Sequence, residues 1–307
     1  MRSLLADLLG GSLRALAQAI SAIEDGDAES ASLLGGIQPH VGRAAVVGFT
    51  GPPGAGKSTL IGAYIGRLRR AGRRVAVIAV DPTSPLTGGA ILGDRMRMAA
   101  HAIDDDVFIR SLAARGHLGG LTPAAPFVID LMDAAGFDVV IIETVGTGQS
   151  EVEIAGLASV TIVVCAPGLG DEVQAIKAGI LEFADILVVN KGDSPLAAAT
   201  VAHLFSGLHL NADGPRQVPI ITTTATRGDG IAELAVAIET VLVTRPPQPS
   251  DTHLRLKRML AVLAGEWMRD SILSSPLPAV DSLCEEVRHG RLPVQTALRR
   301  MAAICAG

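Results

Sequence analysis

The segment GPPGAGKST, residues 51–59, has the residue types and spacing of a phosphate cradle. It fits G-x4-G-K-[ST], directly after an apolar run and directly before a helical one. Glycines let the backbone curl until its N–H groups face one point. A helix N-terminus beside that point favours phosphate oxygens. Gly51, Pro52, Pro53, Gly54, Ala55, Gly56 and Thr59 form the cradle, Lys57 reaches the β- and γ-phosphates, and Ser58 is placed to ligate Mg²⁺.

A second signal is NKGD, residues 190–193, at the end of the run DILVVN. The Asp193 carboxylate is expected to accept hydrogen bonds from guanine N1–H and its exocyclic amine. Adenine would turn a lone pair toward the same oxygens, a costly mismatch when buried. The Lys191 stem is expected to lie over the base, and Asn190 to tie this loop to the phosphate loop. The pair of motifs points to GTP or GDP rather than adenine nucleotides. Further on, TTTATRGDG (222–230) offers Thr224, Ala225 and Thr226 as a small-residue loop whose backbone N–H meets guanine O6. Without NKGD it would pass for an ordinary Ser/Thr-rich loop.

Three more stretches carry candidate switch residues. In ETVGTGQS (143–150), Glu143 ends a strand, where a carboxylate holds Mg²⁺ through water or positions the attacking water. Its plainer reading is a cap on the next helix. Gly146 is placed to present its N–H to the γ-phosphate and to swing when that group leaves. Gln149 is a water-orienting candidate, though its spacing from Gly146 differs from that of small signalling GTPases. In VDPTSPLTGGAILGDRMRM (80–98), Asp81 is a magnesium-shell candidate. Asp94 and Arg97 sit at a helix start behind the hinge Gly88-Gly89; Arg97 is suited to transition-state charge, while Asp94 also suits an N-cap. The third, APGLGDEVQAIKAGILEFAD (166–185), contains Lys177. Of 26 basic residues 22 are Arg, so the four Lys, at 57, 177, 191 and 257, draw notice as places where a compact ammonium is wanted.

These loops need a scaffold that brings them together. Short Val- and Ile-rich runs at 44–50, 74–80, 138–144, 159–165, 185–190 and 218–224 alternate with helical stretches. They are apolar on both faces, as in a parallel sheet covered by helices on each side. The fold class expected is α/β, a doubly wound, mostly parallel sheet whose ligands bind beyond the carboxyl ends of the strands. Residues 3–24 follow helical spacing, a polar break runs from Glu24 to Ser30, and Gly35-Gly36 with Pro39 mark a link. At the other end a helix near 230–243 precedes RPPQPS (245–250) and further helical stretches, including 281–289 and 293–305. The division expected is a helical extension over 1–40, a nucleotide-binding domain over 41–245 and a helical arm over 246–307. The terminal helices suit either packing on the sheet domain or a dimer arm.

Composition narrows the function classes. With 307 residues, 49% of them apolar, two domains and a large core are expected. A net charge of −5 and 3% aromatics do not suit a nucleic-acid binder. Cys165, Cys284 and Cys305 form no CxxC or disulfide framework, and the seven His show no HExxH. The longest uncharged apolar run contains Pro167 and is too short to span a bilayer. A cytoplasmic protein with no membrane contact is expected.

Taken together, GFTGPPGAGKST, VAVIAVDPTSP, ILGDRMRM, FIRSLAARGHLGGLT, ETVGTGQSE, PGLGDEVQAIKAGILE and NKGD resemble the MeaB/ArgK-type GTPases, the methylmalonyl-CoA mutase-associated G proteins. The resemblance spans about residues 40–245 and is the only thing that singles out FIRSLAARGHLGGLT. It implies a homodimeric GTPase chaperone for an adenosylcobalamin-dependent acyl-CoA mutase, gating cofactor loading and guarding the mutase. It places Lys57 and Ser58 on phosphate and magnesium, Asp81, Asp94 and Glu143 in the magnesium and water network, Lys177 in a partner-responsive switch and Asp193 on guanine. The competing readings are a metallochaperone GTPase for metalloenzyme maturation and a scaffold that senses GTP without useful turnover.

Overall fold

The computed structural model describes residues 2–25, 30–81, 101, 103–113, 122, 124–144, 150–168, 183–210, 218–246, 249–274 and 278–306. The chain divides into two compact units, Met1–Thr252 and His253–Gly307. Among the described residues, seven parallel strands run through the first unit: β1 (Ala45–Thr50), β2 (Val75–Asp81), β3 (Val107–Ala113), β4 (Val139–Glu143), β5 (Val160–Cys165), β6 (Ile186–Val189) and β7 (Ile220–Thr222). Their order in the sheet is β3-β2-β4-β1-β5-β6-β7. β1 is therefore central, and the chain winds away from it in both directions. The crevice at such a reversal is where sheets of this kind bind ligands.

The described helices of the first unit are α1 (Arg2–Leu9), α2 (Leu13–Glu24), α3 (Ser30–Ile37), α4 (Lys57–Arg70), α5 (Ala125–Ala134), α6 (Ser150–Leu157), α7 (Ala197–Leu210) and α8 (Ile231–Thr244), followed by α9 (Pro249–Ser274), which runs into the second unit. Successive strand residues face opposite sides, and both sides are apolar. Val47, Phe49, Val77 and Ile141 join Leu60, Ile61 and Ile65 of α4 and Leu234 and Ile238 of α8. Val46, Ile78, Val140 and Ile142 join Leu16 and Ile20 of α2 and Ile129 and Met132 of α5. A further cluster sets Val163, Leu187 and Val189 against Leu204 of α7. The carboxylate of Asp133, at the end of α5, accepts the backbone N–H groups of Gly42, Arg43 and Ala44 and so fixes the entry into β1.

Three features differ from the sequence expectation. The first is β3, an edge strand paired only with β2 within the described sheet. Its sequence VFIRSLA carries Arg110 and Ser111 and gives no continuous apolar run. Arg110 instead reaches across to Ser21 and Glu24 of α2. The second is the break of the 3–24 helical run at Gly10-Gly11. Gly11 takes φ +83°, and the Ser12 hydroxyl caps α2 by accepting from Ala15 N–H. The third is that Gly35-Gly36 lies inside α3 rather than in a link. A Cβ on Gly36 would fall 2.6 Å from Leu5 Cδ2, so the missing side chain lets α1 and α3 touch.

In the second unit α10 (Pro278–Arg288) and α11 (Val294–Ala306) form a hairpin. It closes on Val280, Leu283 and Met301 with Ile272, Leu292 and Ile304. Among the described residues no helix is long and apolar enough to cross a membrane.

Candidate functional site

The loops after β1, β6 and β7 and the end of β4 meet at the carboxyl edge of the sheet, and hydrogen bonds between them define a site. The phosphate loop leaves β1 through Gly51, where φ is +132° and an added Cβ would fall 2.1 Å from the Val164 carbonyl oxygen of β5. Only glycine lets the loop turn so close to the neighbouring strand. The loop ends at Gly56, φ +88°, immediately before α4. Lys57 and Ser58 open that helix and are both buried. The Lys57 ammonium donates to the carbonyl oxygens of Gly51 at 2.8 Å and Pro52 at 3.1 Å. This holds a positive charge at the mouth of a helix whose first N–H groups and dipole already favour an anion.

Glu143 closes β4 in register with Phe49 of β1 and Ala79 of β2. It is buried, and its Oε1 accepts a 2.8 Å hydrogen bond from Ser58 Oγ. Asp81 ends β2 two residues beyond the partner of Glu143; its side chain lies outside what is described. A hydroxyl and a carboxylate this close are hard oxygen donors of the kind Mg²⁺ takes. The donors present fit that ion. Next to them, Thr144 Oγ1 donates to Thr50 Oγ1 at 3.0 Å, both buried, and links the ends of β1 and β4 beneath the phosphate loop.

The NKGD loop is bound to its neighbours on both sides. Asn190 Nδ2 donates to Ala55 O at 2.9 Å, and its Oδ1 accepts from Thr223 Oγ1 at 3.1 Å and Ala225 N–H at 3.2 Å. One buried amide thus joins the phosphate loop, the β6 loop and the β7 loop. Lys191 sits at φ +57° and donates from Nζ to Gly54 O at 2.7 Å, which lays its stem across the space between the two loops. Gly192 N–H donates to Thr223 O at 2.8 Å. Asp193 stands half-exposed, with Arg227 Nη2 3.5 Å from its Oδ2. Thr224 N–H donates to Asp229 O, and Ala225 N–H is taken by Asn190. Within Thr224–Ala225–Thr226, the N–H of Thr226 has no hydrogen-bond partner among the described residues.

The structure thus brings together Gly51 to Ser58, Glu143, Asn190 and Lys191, with Asp193 and Thr224 to Thr226 beside them. Thr59 is exposed on the first turn of α4. Asp94, Arg97, Gly146, Gln149 and Lys177 lie outside the described residues. Sequence reasoning passed over Thr50, Thr144, Thr223 and Arg227. For Thr50 and Thr144 a signal existed: each is the hydroxyl residue at the end of an apolar run, Thr50 as the last residue of β1 and Thr144 directly after β4. Nothing local marks which threonine of 222–224 holds Asn190.

Comparison with known proteins bears on the family and the fold. Residues 16–261 match the family profile described as "Methylmalonyl Co-A mutase-associated GTPase MeaB". A protein of Pyrococcus abyssi named as a GTPase is 49% identical over 228 residues, 73% of this chain and 70% of the relative. GTPase ArgK of Escherichia coli is 44% identical over 271 residues, 84% of this chain and 80% of that one. Among solved structures, one titled as an LAO/AO transport system kinase superposes with a TM-score of 0.71 at 28% identity, covering 100% of this chain and 97% of its own.

Proposed function

The chain belongs to the MeaB family of methylmalonyl-CoA mutase-associated GTPases, and from that premise we propose that it couples GTP hydrolysis to the service of an adenosylcobalamin-dependent acyl-CoA mutase. It is a P-loop GTP hydrolase by family and fold. In this reading it acts as a homodimeric cytoplasmic chaperone, gating cofactor loading and protecting the mutase. The observation that carries the nucleotide part is the Asn190 amide, which links the phosphate loop to the base-side loops through Ala55 O and Ala225 N–H. That linkage lets the state of the phosphates be felt at the base side, and the reverse. The mutase part is supported by the family match over residues 16–261.

The proposed chemistry is in-line attack of water on the γ-phosphate. Backbone N–H groups of the loop and of the first turn of α4 bind phosphate oxygens, and Lys57 exchanges its carbonyl partners for them and offsets developing charge. Ser58 and Glu143, with Asp81, would hold Mg²⁺, which would supply positive charge to offset that of the phosphates. Asp193 reads guanine, and the loop Thr224–Ala225–Thr226 offers a backbone N–H to O6. Asp94, Arg97, Gly146, Gln149 and Lys177 are proposed as switch residues on the strength of the sequence motifs alone. No full arginine finger stands out in the sequence, so intrinsic hydrolysis is expected to be slow and partner-accelerated. On α9, Leu256, Leu260 and Trp267 are exposed at spacings of one helical face, which suits pairing with a second copy.

The test is multiple-turnover phosphate release with and without a purified mutase, together with capture of the mutase in GTP-like and GDP states. Acceleration and state-dependent capture are expected. Turnover indifferent to the mutase, with capture equal in both states, would remove the chaperone reading. Stoichiometric binding of a transition metal by the isolated protein would favour the metallochaperone alternative.

A further inference from the structure

A half-exposed carboxylate has several rotamers, and only one presents both oxygens to the edge of a guanine. Some structure must hold Asp193 if it is to discriminate. The turn after β7 is closed at both ends: Thr224 N–H donates to Asp229 O at 3.0 Å, and the N–H groups of Arg227 and Gly228 donate to Thr224 O at 2.9 and 3.0 Å. The base of this turn is fastened to the NKGD loop by Gly192 N–H on Thr223 O and by Asn190. Arg227 therefore projects from a short, anchored turn, and its Nη2 stands 3.5 Å from Asp193 Oδ2. Neither side chain needs a loop movement to meet the other.

We infer that Arg227 is a positioning residue for Asp193, and through it a determinant of nucleobase specificity; the inference rests on Asp193 being the guanine reader. The guanidinium engages one edge of Oδ2. Each carboxylate oxygen accepts more than one hydrogen bond, so lone pairs on Oδ1 and Oδ2 stay available to N1–H and the exocyclic amine. Fixing the carboxylate plane makes the second of those contacts effective. Inosine, which lacks the amine, offers Asp193 one donor instead of two. A loosened carboxylate then tells guanosine from inosine less well. The pair is exposed, with side chains 65% and 45% accessible for Arg227 and Asp193. Its effect is accordingly modest and salt-dependent.

The experiment compares kcat/KM for GTP and ITP in the full-length protein. The triphosphate is common to both, so effects on phosphate binding cancel in the ratio. Arg227→Ala is expected to lower the GTP/ITP ratio about two- to fivefold, through KM and not kcat, with Arg227→Lys restoring part of it. High salt is expected to bring the wild-type ratio toward that of Arg227→Ala. A wild-type ratio in Arg227→Ala, with or without a lower melting temperature, would overturn the inference. Asp193→Asn separates the two levels of the argument. If it exchanges guanine for xanthine preference while Arg227→Ala leaves the ratio unchanged, base reading stands and the role of Arg227 falls. If it leaves the preference for GTP intact, base reading falls and the role of Arg227 with it.

Discussion

Ser58 Oγ donates to Glu143 Oε1 over 2.8 Å, joining the first turn of α4 to the end of β4. The two residues are 85 positions apart in the chain and adjacent because β1 and β4 are neighbours in the sheet. The hydrogen bond couples the orientations of the two side chains. A change at one therefore disturbs the pair.

Glu143→Gln keeps the shape of the side chain and removes its charge. Hydrolysis is expected to fall about 10²-fold while GTP still binds. Ser58→Ala is expected to raise the magnesium concentration needed for half-maximal rate. Phosphate release titrated with Mg²⁺ measures both, and a wild-type rate in Glu143→Gln would contradict the assignment.

Lys57→Ala removes the cation at the mouth of α4. GTP turnover is expected to fall by at least about 10²-fold, the scale of losing one group that stabilises transition-state charge. The bonds of Lys57 to Gly51 and Pro52 are local to the loop, so the fold is expected to survive. Phosphate release alongside a far-ultraviolet melting curve distinguishes lost chemistry from lost structure.

Asn190→Ala leaves the buried Ala225 N–H without its acceptor and cuts the tie to Ala55. The cost expected is about 1–3 kcal/mol, seen in denaturant unfolding, with weaker nucleotide binding. Gly56→Ala would set a Cβ 2.4 Å from Asn190 Nδ2 at φ +88°. Because it displaces the same amide, combining the two substitutions is expected to cost less than their sum. Strict additivity would show that Gly56 and Asn190 act independently.

Tyr64, the one tyrosine in the chain, packs against Phe49 with ring centroids 6.1 Å apart. Burial, and secondarily the nearby Glu239 carboxylate, raise its phenol well above the ordinary value of 10.0. The sign follows from proton binding: above that ordinary value the folded state keeps a proton that the unfolded state releases. The stability due to Tyr64 is then full below pH 10 and declines as pH rises toward the folded-state value. Phenolate absorbance is expected to appear only together with unfolding, and Tyr64→Phe to flatten the alkaline loss. Phenolate titrating near 10 in the folded protein would refute this.

Much of the architecture was legible because six strands are short, apolar on both faces and separated by helical runs. β3 was not, because an edge strand has one neighbour and tolerates Arg110 and Ser111 in its middle. The helix break at Gly10-Gly11 and the helical Gly35-Gly36 went the other way for a related reason. Glycine marks a turn or a close contact equally well in sequence. Only the position of Leu5 against Gly36 shows which of the two applies there.

The residues of the phosphate loop and of NKGD were determined by the sequence itself, since the chemistry of each lies within a few consecutive positions. The pairings among them were decided only by the tertiary structure. Ser58 with Glu143, Asn190 with Ala55 and Ala225, and Arg227 with Asp193 span 34 to 135 positions of chain. Strand order and register set those contacts. Order and register come from burying two faces of one sheet at once, a property of the whole chain that no local spacing contains.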